Sequence, residues 1–282
     1  MINLKQVSCS KCFEGHQYVY EHESKELGCQ MKFAIYLPSA SQQPNAKLPV
    51  VYYLSGLTCT EQNMITKSGF QRYAEKYKLV VVGPDTSPRN CNVPGEEDVW
   101  DLGTGAGFYV DATQEPWSKH YRMYSYVTKE LRSVVDANFP CVDSTRVGIT
   151  GHSMGGHGAL VCFLRNPDIY KAVTAFAPIS NPLESSWGVK CLTTYLGSDK
   201  TTWTDYDATE LVKRQPRKDV KIVVEQGSKD EWMSYLAPEN FKKACETVGQ
   251  ALEFNLRDGY DHGYYFVSTF IENHLKHFSE VL

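Results

Sequence analysis

The sequence feature that most constrains the fold is a serine flanked by two glycines, Gly151-His152-Ser153-Met154-Gly155. The apolar run 147–150 before it is typical of the end of a buried strand, and residues 159–164 after it have a helical pattern. A strand that turns into a helix within so few residues needs glycine at the crowded ends of the turn. The pattern predicts that Ser153 is held in a strained conformation with its hydroxyl above a sheet.

A serine held in this way is typical of the nucleophile elbow of α/β-hydrolases. The hydroxyl is a weak nucleophile until a base removes its proton, so the chain must also supply a histidine, a carboxylate and an oxyanion hole. The short G-x-S-x-G pattern also arises by chance. The strand and helix around it here favour catalysis.

The rest of the chain predicts one α/β-hydrolase domain over residues 1–282, with 42% hydrophobic residues to fill its core. We expect a mostly parallel twisted sheet with antiparallel N-terminal strands and with helices on both faces. Strands are predicted at 31–37, 48–54, 79–82, 147–150, 172–176, 220–224 and 252–256. Helices are predicted at 70–77, 121–138, 159–164, 238–248 and 264–278. Two stretches are predicted to be irregular, 84–116 as a wall of the active site and 178–209 as an insertion over the sheet.

Chain order indicates the base and the acid, because in this fold the nucleophile comes first, the acid second and the histidine last. His262 lies just before the last predicted helix, in a glycine-containing loop that lets its ring reach the nucleophile. The acid is expected after the strand 220–224, where Asp230 and Glu231 are both available. Its role is to accept a hydrogen bond from the second ring nitrogen of the histidine.

The oxyanion hole is expected to use two backbone N–H groups. One belongs to Met154, the residue after the nucleophile, at the N-terminus of a helix whose dipole favours negative charge. The other comes from the loop after the strand 48–54, where the sequence is Ser55-Gly56-Leu57, and we assign it to Leu57.

Several longer segments resemble S-formylglutathione hydrolase, a family also called esterase D, and the similarity extends over about residues 4–278. These segments are 54–63, 84–89, 103–113, 151–158 and 259–262. The stretch 228–238 departs most from the family pattern. The resemblance implies hydrolysis of the thioester S-formylglutathione to formate and glutathione, with activity on short-chain esters as well. A general short-chain carboxylesterase is the alternative, and a non-catalytic scaffold of the same fold is a third.

The resemblance also bears on individual residues. It implies that Asp230, at the family's offset from a Gln-Gly pair, is the acid of the triad. It suggests that oxidation or metal modification of Cys59 inhibits the enzyme, although a small buried thiol explains this residue equally well. Trp187 is a candidate pocket residue. The family needs no cofactor and no metal, and it suggests a homodimer.

Charge and cysteine content restrict the partners and the compartment. With 29 basic and 33 acidic residues and no long run of either sign, the chain is not expected to bind nucleic acid or an anionic membrane. The N-terminus has no signal-peptide pattern, so the nine cysteines are expected to be reduced thiols of a cytoplasmic protein. Cys9 and Cys12 have metal-ligand spacing, but no second pair follows, and packing thiols are favoured over zinc.

Overall fold

A nine-stranded sheet forms the centre of the computed structural model, which describes residues 4–282. Its strands are β1 (Lys5–Cys12), β2 (Gly15–Ser24), β3 (Cys29–Leu37), β4 (Leu48–Leu54), β5 (Val80–Pro84), β6 (Val142–Gly151), β7 (Tyr170–Phe176), β8 (Ile222–Gly227) and β9 (Leu252–Arg257). They are arranged in the order β1-β2-β3-β5-β4-β6-β7-β8-β9. The first three strands pair antiparallel, as β3 does with β5, and all pairs from β5 to β9 are parallel. The predicted α/β-hydrolase arrangement is confirmed.

The central strands are covered on both faces of the sheet. Every residue of β5 and of β8 is buried, whichever way its side chain points, and so are residues 50–54 of β4. Side chains alternate between the two faces of a strand, so such runs require helices on each face. By contrast, β1 at the edge of the sheet is exposed along nearly its whole length.

Eleven α-helices lie within the described residues, some of them only one turn long. They are α1 (Glu61–Lys67), α2 (Gln71–Tyr77), α3 (Met123–Ser125), α4 (Leu131–Asn138), α5 (Met154–Arg165), α6 (Ser186–Leu196), α7 (Lys200–Trp203), α8 (Ala208–Arg214), α9 (Met233–Leu236), α10 (Pro238–Val248) and α11 (Tyr264–Val281). Helix α11 packs against α1, α2, β7 and β8, whereas α5 packs against β4, β6, β7 and α8. The predicted helix 121–138 begins at Met123 and contains a π-helical segment, Tyr126–Glu130, between α3 and α4.

The prediction of an irregular insertion at 178–209 was wrong, because α6, α7 and the start of α8 lie there. Trp187, Cys191 and Tyr195 are buried on one face of α6 at four-residue spacing. Aromatic residues have modest helix propensity, and packing against other aromatic side chains outweighs it here: Trp187 packs against Tyr235, and Tyr195 packs against Tyr121. Helix α1 was also missed, although Thr60 and Asn63 form a capping box at its start.

The long segment between β5 and α3 is irregular, as predicted, and is held by buried aromatic side chains. Phe108 and Tyr109 are almost completely buried. The carbonyl of Phe108 is 3.0 Å from Nε2 of His157 in α5, and the Tyr109 hydroxyl donates to the carbonyl of Ser55 at 2.9 Å. These contacts fix the segment over the carboxyl edge of the sheet. No helix within residues 4–282 is long and apolar enough to cross a lipid bilayer.

Candidate active site

Ser153 stands at the sharp turn between β6 and α5, as predicted. Its backbone has φ 61° and ψ −119°, a strained conformation for a residue with a side chain. The glycines on either side are required by space. A Cβ on Gly151 would overlap the carbonyl oxygen of Gly155, and a Cβ on Gly155 would overlap that of Leu54. The turn is fixed to the neighbouring strand by the Ser153 N–H, which donates to the Phe176 carbonyl at 2.9 Å.

Asp230 and His262 form a hydrogen-bonded pair at the same edge of the sheet, in the loops after β8 and β9. Nδ1 of His262 lies 2.7 Å from Oδ2 of Asp230, whose side chain is fully buried. Two further donors hold the carboxylate: Gln226 Nε2 donates to Oδ2 and the Trp232 N–H donates to Oδ1, each at 2.9 Å. Glu231 is exposed and makes no hydrogen bond among the described residues. The structure therefore brings Asp230, and not Glu231, to the histidine.

Ser153 and His262 line one cavity of about 150 Å³. No hydrogen bond joins the two side chains within the part of the chain described. Nucleophile–base contacts are often loose without substrate and tighten when it binds. The ring of His152 lies against that of His262, with centroids 4.6 Å apart. Burial, and to a smaller extent the nearby His262, lowers the pKa of His152 well below its usual value. His152 is therefore neutral near neutral pH and adds no positive charge beside the ring of His262.

Two backbone N–H groups beside Ser153 have no acceptor. Within residues 4–282, neither the Leu57 N–H nor the Met154 N–H makes a hydrogen bond to the protein. Leu57 follows β4, the neighbour of β6 in the sheet, and lines the cavity, while Met154 is the first residue of α5. Buried or half-buried N–H groups are rarely left unpaired unless a ligand or water completes them. Both groups lie where an oxyanion hole is expected.

A wall of aromatic side chains closes one side of the cavity. Trp187 of α6 stacks on Tyr235 with centroids 4.4 Å apart and lies 4.9 Å from Trp232. Trp100 meets the edge of Trp187 at 5.6 Å and remains half exposed at the rim. Trp187 is thus a lining residue, as predicted. Sequence reasoning missed Trp232, Tyr235 and Gln226, whose role follows only from loops that meet in three dimensions.

Cys59 and Tyr264 also line the cavity. Cys59 is buried, and burial raises the pKa of its thiol although a hydrogen bond with Tyr264 opposes the shift. Burial also raises the pKa of Tyr264, so both groups are protonated near neutral pH. The structure places Cys59 within reach of a reagent that enters the cavity. Nothing in residues 4–282 groups three or more His, Cys, Asp or Glu side chains as a metal site.

Comparison with known sequences and structures identifies the family of this chain. The family described as "Putative esterase" matches residues 24–277. The S-formylglutathione hydrolase of Bos taurus is 56% identical over 281 residues, 99% of each chain, and that of Arabidopsis thaliana is 49% identical over 99% of this chain and 98% of its own. The structure of an S-formylglutathione hydrolase from Agrobacterium tumefaciens is 44% identical, with a TM-score of 0.94 over 98% of this chain and 99% of that one. This chain therefore belongs to the S-formylglutathione hydrolase family of esterases.

Proposed function

We propose that this protein hydrolyses S-formylglutathione to formate and glutathione through a formyl-enzyme on Ser153. The observation that carries the proposal is the Asp230–His262 hydrogen bond of 2.7 Å, at the cavity that is also lined by Ser153 and by Leu57 with its unpaired N–H. Relatives that carry the name S-formylglutathione hydrolase match essentially the whole chain, which supports the choice of thioester.

Acylation uses Ser153, His262 and Asp230 in the roles of a serine hydrolase triad. Oγ of Ser153 attacks the formyl carbon while Nε2 of His262 takes the hydroxyl proton. Asp230 holds Nδ1–H of the ring and stabilises the imidazolium, but it does not itself take the proton. The carbonyl oxygen becomes negatively charged and accepts hydrogen bonds from the N–H groups of Leu57 and Met154. Loss of one such donor typically reduces kcat by about 10²–10³.

Departure of glutathione completes acylation, and hydrolysis of the formyl-enzyme then returns the enzyme to its starting state. When the tetrahedral intermediate collapses, the C–S bond breaks and the glutathione sulfur leaves with the proton held by His262. A thiol has a pKa of about 8.5, so its thiolate is a good leaving group even with little help from an acid. Water then attacks the formyl ester, His262 accepts the water proton, and the proton returns to Ser153 as formate leaves.

The cavity fits a small acyl group better than a long chain. Its volume of about 150 Å³ is bounded by Trp187, Trp232 and Tyr264. This is well below the several hundred Å³ usual for sites that enclose a drug-sized ligand. Glutathione itself is expected to extend from the open rim, where Trp100 is half exposed.

The proposal includes a cytoplasmic location. All nine cysteines of the chain are free thiols, although Cys9 is exposed and four others are partly exposed. Exposed thiols persist where the cell keeps them reduced, and they are paired more often in exported proteins. A cytoplasmic location is consistent with a substrate that is itself a derivative of the main cytosolic thiol.

The test is a comparison of kcat/KM for S-formylglutathione and p-nitrophenyl acetate on the purified protein. Loss of the thioester absorbance and release of formate follow the first reaction, and Ser153→Ala is the control for both. We expect kcat/KM to be at least about a hundredfold higher for the thioester. Comparable values with an inactive Ser153→Ala would instead identify a general short-chain carboxylesterase. Full activity of Ser153→Ala would refute the serine mechanism.

A further inference from the structure

The turn that carries Leu57 belongs to no helix or strand, so its position depends on what holds it. Residues 56–59 form a β-turn, closed by a hydrogen bond from the Cys59 N–H to the Gly56 carbonyl at 3.3 Å. Thr58 has φ 65°, the positive value that a type II turn needs at its third position. The direction of the Leu57 N–H therefore depends on the orientation of this turn.

Two anchors fix the far half of the turn. The Thr58 N–H donates to the carbonyl of Gly105 in the long loop at 2.9 Å. The Cys59 carbonyl accepts two hydrogen bonds, one from Thr86 Oγ1 at 2.5 Å and one from Arg89 Nη2 at 3.1 Å. With two donors on its carbonyl oxygen, the peptide between Cys59 and Thr60, directly after the turn, cannot rotate without the loss of both bonds.

Both donors to Cys59 depend on Asp85, the residue after β5. Arg89 Nε donates to Asp85 Oδ2 at 2.8 Å and Nη2 donates to Oδ1 at 3.0 Å, a bidentate pair. The Thr86 N–H also donates to Oδ1, at 2.7 Å. The Asp85 side chain is only 8% exposed and that of Arg89 is 30% exposed. The carboxylate of the pair is therefore shielded from water while the guanidinium stays partly exposed, and the pair is part of the support of the turn.

We propose that Arg89, fixed by Asp85, is a positioning residue that sets the orientation of the Leu57 N–H in the oxyanion hole. An oxyanion hole works because its donors already point at the developing charge, and a displacement of about 1 Å can cost about a hundredfold in rate. The proposal rests on the function proposed above, since it takes Leu57 as an oxyanion donor. It goes further in assigning a catalytic consequence to an ion pair that lines a second, polar cleft outside the Ser153 cavity.

The chain contains a matched control, because Arg146 also donates to both an aspartate and a backbone carbonyl, in a different place. Its Nε donates to Asp143 Oδ2 at 2.8 Å and its Nη2 donates to the Lys47 carbonyl at 2.6 Å. Arg146 lies in the first half of β6, seven residues before Ser153, which corresponds to roughly 20 Å along an extended chain. A merely structural role predicts similar effects for Arg89→Met and Arg146→Met.

The experiment measures three quantities on Arg89→Met, Arg146→Met and the unaltered protein. These are kcat/KM for p-nitrophenyl acetate, the Ki of a trifluoromethyl ketone that forms a tetrahedral oxyanion with a serine, and the midpoint of urea unfolding. The binding of glutathione, which forms no oxyanion, is measured as a fourth, reference quantity. Thr86→Val is a second test of the same support, because it removes the other donor to the Cys59 carbonyl and leaves the ion pair of Arg89 with Asp85 in place.

We expect Arg89→Met to lower kcat/KM by about tenfold or more and to weaken the ketone by a similar factor, with glutathione binding within about twofold. Arg146→Met should change both kinetic quantities by less than about twofold, even if it lowers the urea midpoint as much. The proposal is overturned if Arg89→Met keeps both kinetic values within twofold. It is equally overturned if glutathione binding weakens as much as ketone binding does. If Arg89→Met does not fold, the same criteria apply to Thr86→Val.

Ser153→Ala separates failure of this proposal from failure of the proposed function. An active Ser153→Ala would remove the serine mechanism, and with it any oxyanion hole at Leu57. An inactive Ser153→Ala beside a fully active Arg89→Met would overturn only the positioning role.

Discussion

Replacement of Asp230 by asparagine tests the triad with the least change in shape. Each carboxylate oxygen of Asp230 accepts a hydrogen bond: Oδ1 from the Trp232 N–H, and Oδ2 from Gln226 and His262. An asparagine has one oxygen, so its NH₂ group must face donors in either orientation. If the amide oxygen still accepts from the Trp232 N–H, the NH₂ group faces His262. Nδ1 can then accept a hydrogen bond from it only in the tautomer that has no proton on Nδ1.

That tautomer carries its proton on Nε2, the nitrogen that must take the proton from Ser153. We therefore expect Asp230→Asn to lower kcat by about 10⁴, equivalent to about 5 kcal/mol of transition-state stabilisation. Rearranged donors around the new amide should also lower the free energy of unfolding by about 1–3 kcal/mol. Circular dichroism and a thermal melt show whether the variant is folded before its kinetics are compared.

Glu231→Gln is the matched control. Its side chain is exposed, and no hydrogen bond from it is seen in residues 4–282, so kcat should stay within about twofold. The assay is hydrolysis of S-formylglutathione and of p-nitrophenyl acetate at saturating substrate. A folded Asp230→Asn within tenfold of the unaltered protein, or an inactive Glu231→Gln, would refute the assignment of the acid.

Three further predictions concern the cavity and the buried histidines. Trp187→Ala enlarges the cavity of about 150 Å³, so the ratio of kcat/KM for p-nitrophenyl hexanoate to that for p-nitrophenyl acetate should rise at least about tenfold. The substitution should lower the free energy of unfolding by about 3 kcal/mol. An unchanged ratio would show that the acyl group lies elsewhere. Cys59→Ser should keep kcat/KM within about threefold and abolish inactivation by N-ethylmaleimide, whereas continued inactivation would place the reactive thiol outside the cavity. Burial lowers the pKa of His157 to about 4 from 6.5, so the unfolded chain binds the extra proton between these values and stability falls as pH drops through that window. His157→Gln should remove about 3 kcal/mol of the loss in unfolding free energy between pH 7 and pH 4, and an identical pH dependence in the variant would contradict this.

The catalytic parts were accessible from sequence because each lies at the end of a strand with a clear apolar pattern. The glycines around Ser153 reflect a steric requirement that the structure displays directly, in the overlaps at Gly151 and Gly155. The parallel order of β4, β6, β8 and β9 then brings the loops of Leu57, Ser153, Asp230 and His262 to one edge. Local pattern and chain order are sufficient for this.

The walls and supports of the site could not be predicted in the same way. Trp100, Trp187 and Trp232 come from three separate segments, and no periodicity relates them. The choice between Asp230 and Glu231 depends on which side chain the loop turns inward. The hydrogen bond of Arg89 to the Cys59 carbonyl likewise joins residues 30 positions apart. Such contacts depend on tertiary packing.

The most direct measurement of the central claim is covalent labelling by a fluorophosphonate, located by mass spectrometry of the digested protein. The reagent reacts with a serine that is activated by its base and placed beside an oxyanion hole. The structure predicts stoichiometric labelling on the peptide that contains Ser153, greatly slowed labelling in Asp230→Asn and none in Ser153→Ala. Absence of label in the folded protein, or label on a different serine, would contradict the site described for this chain.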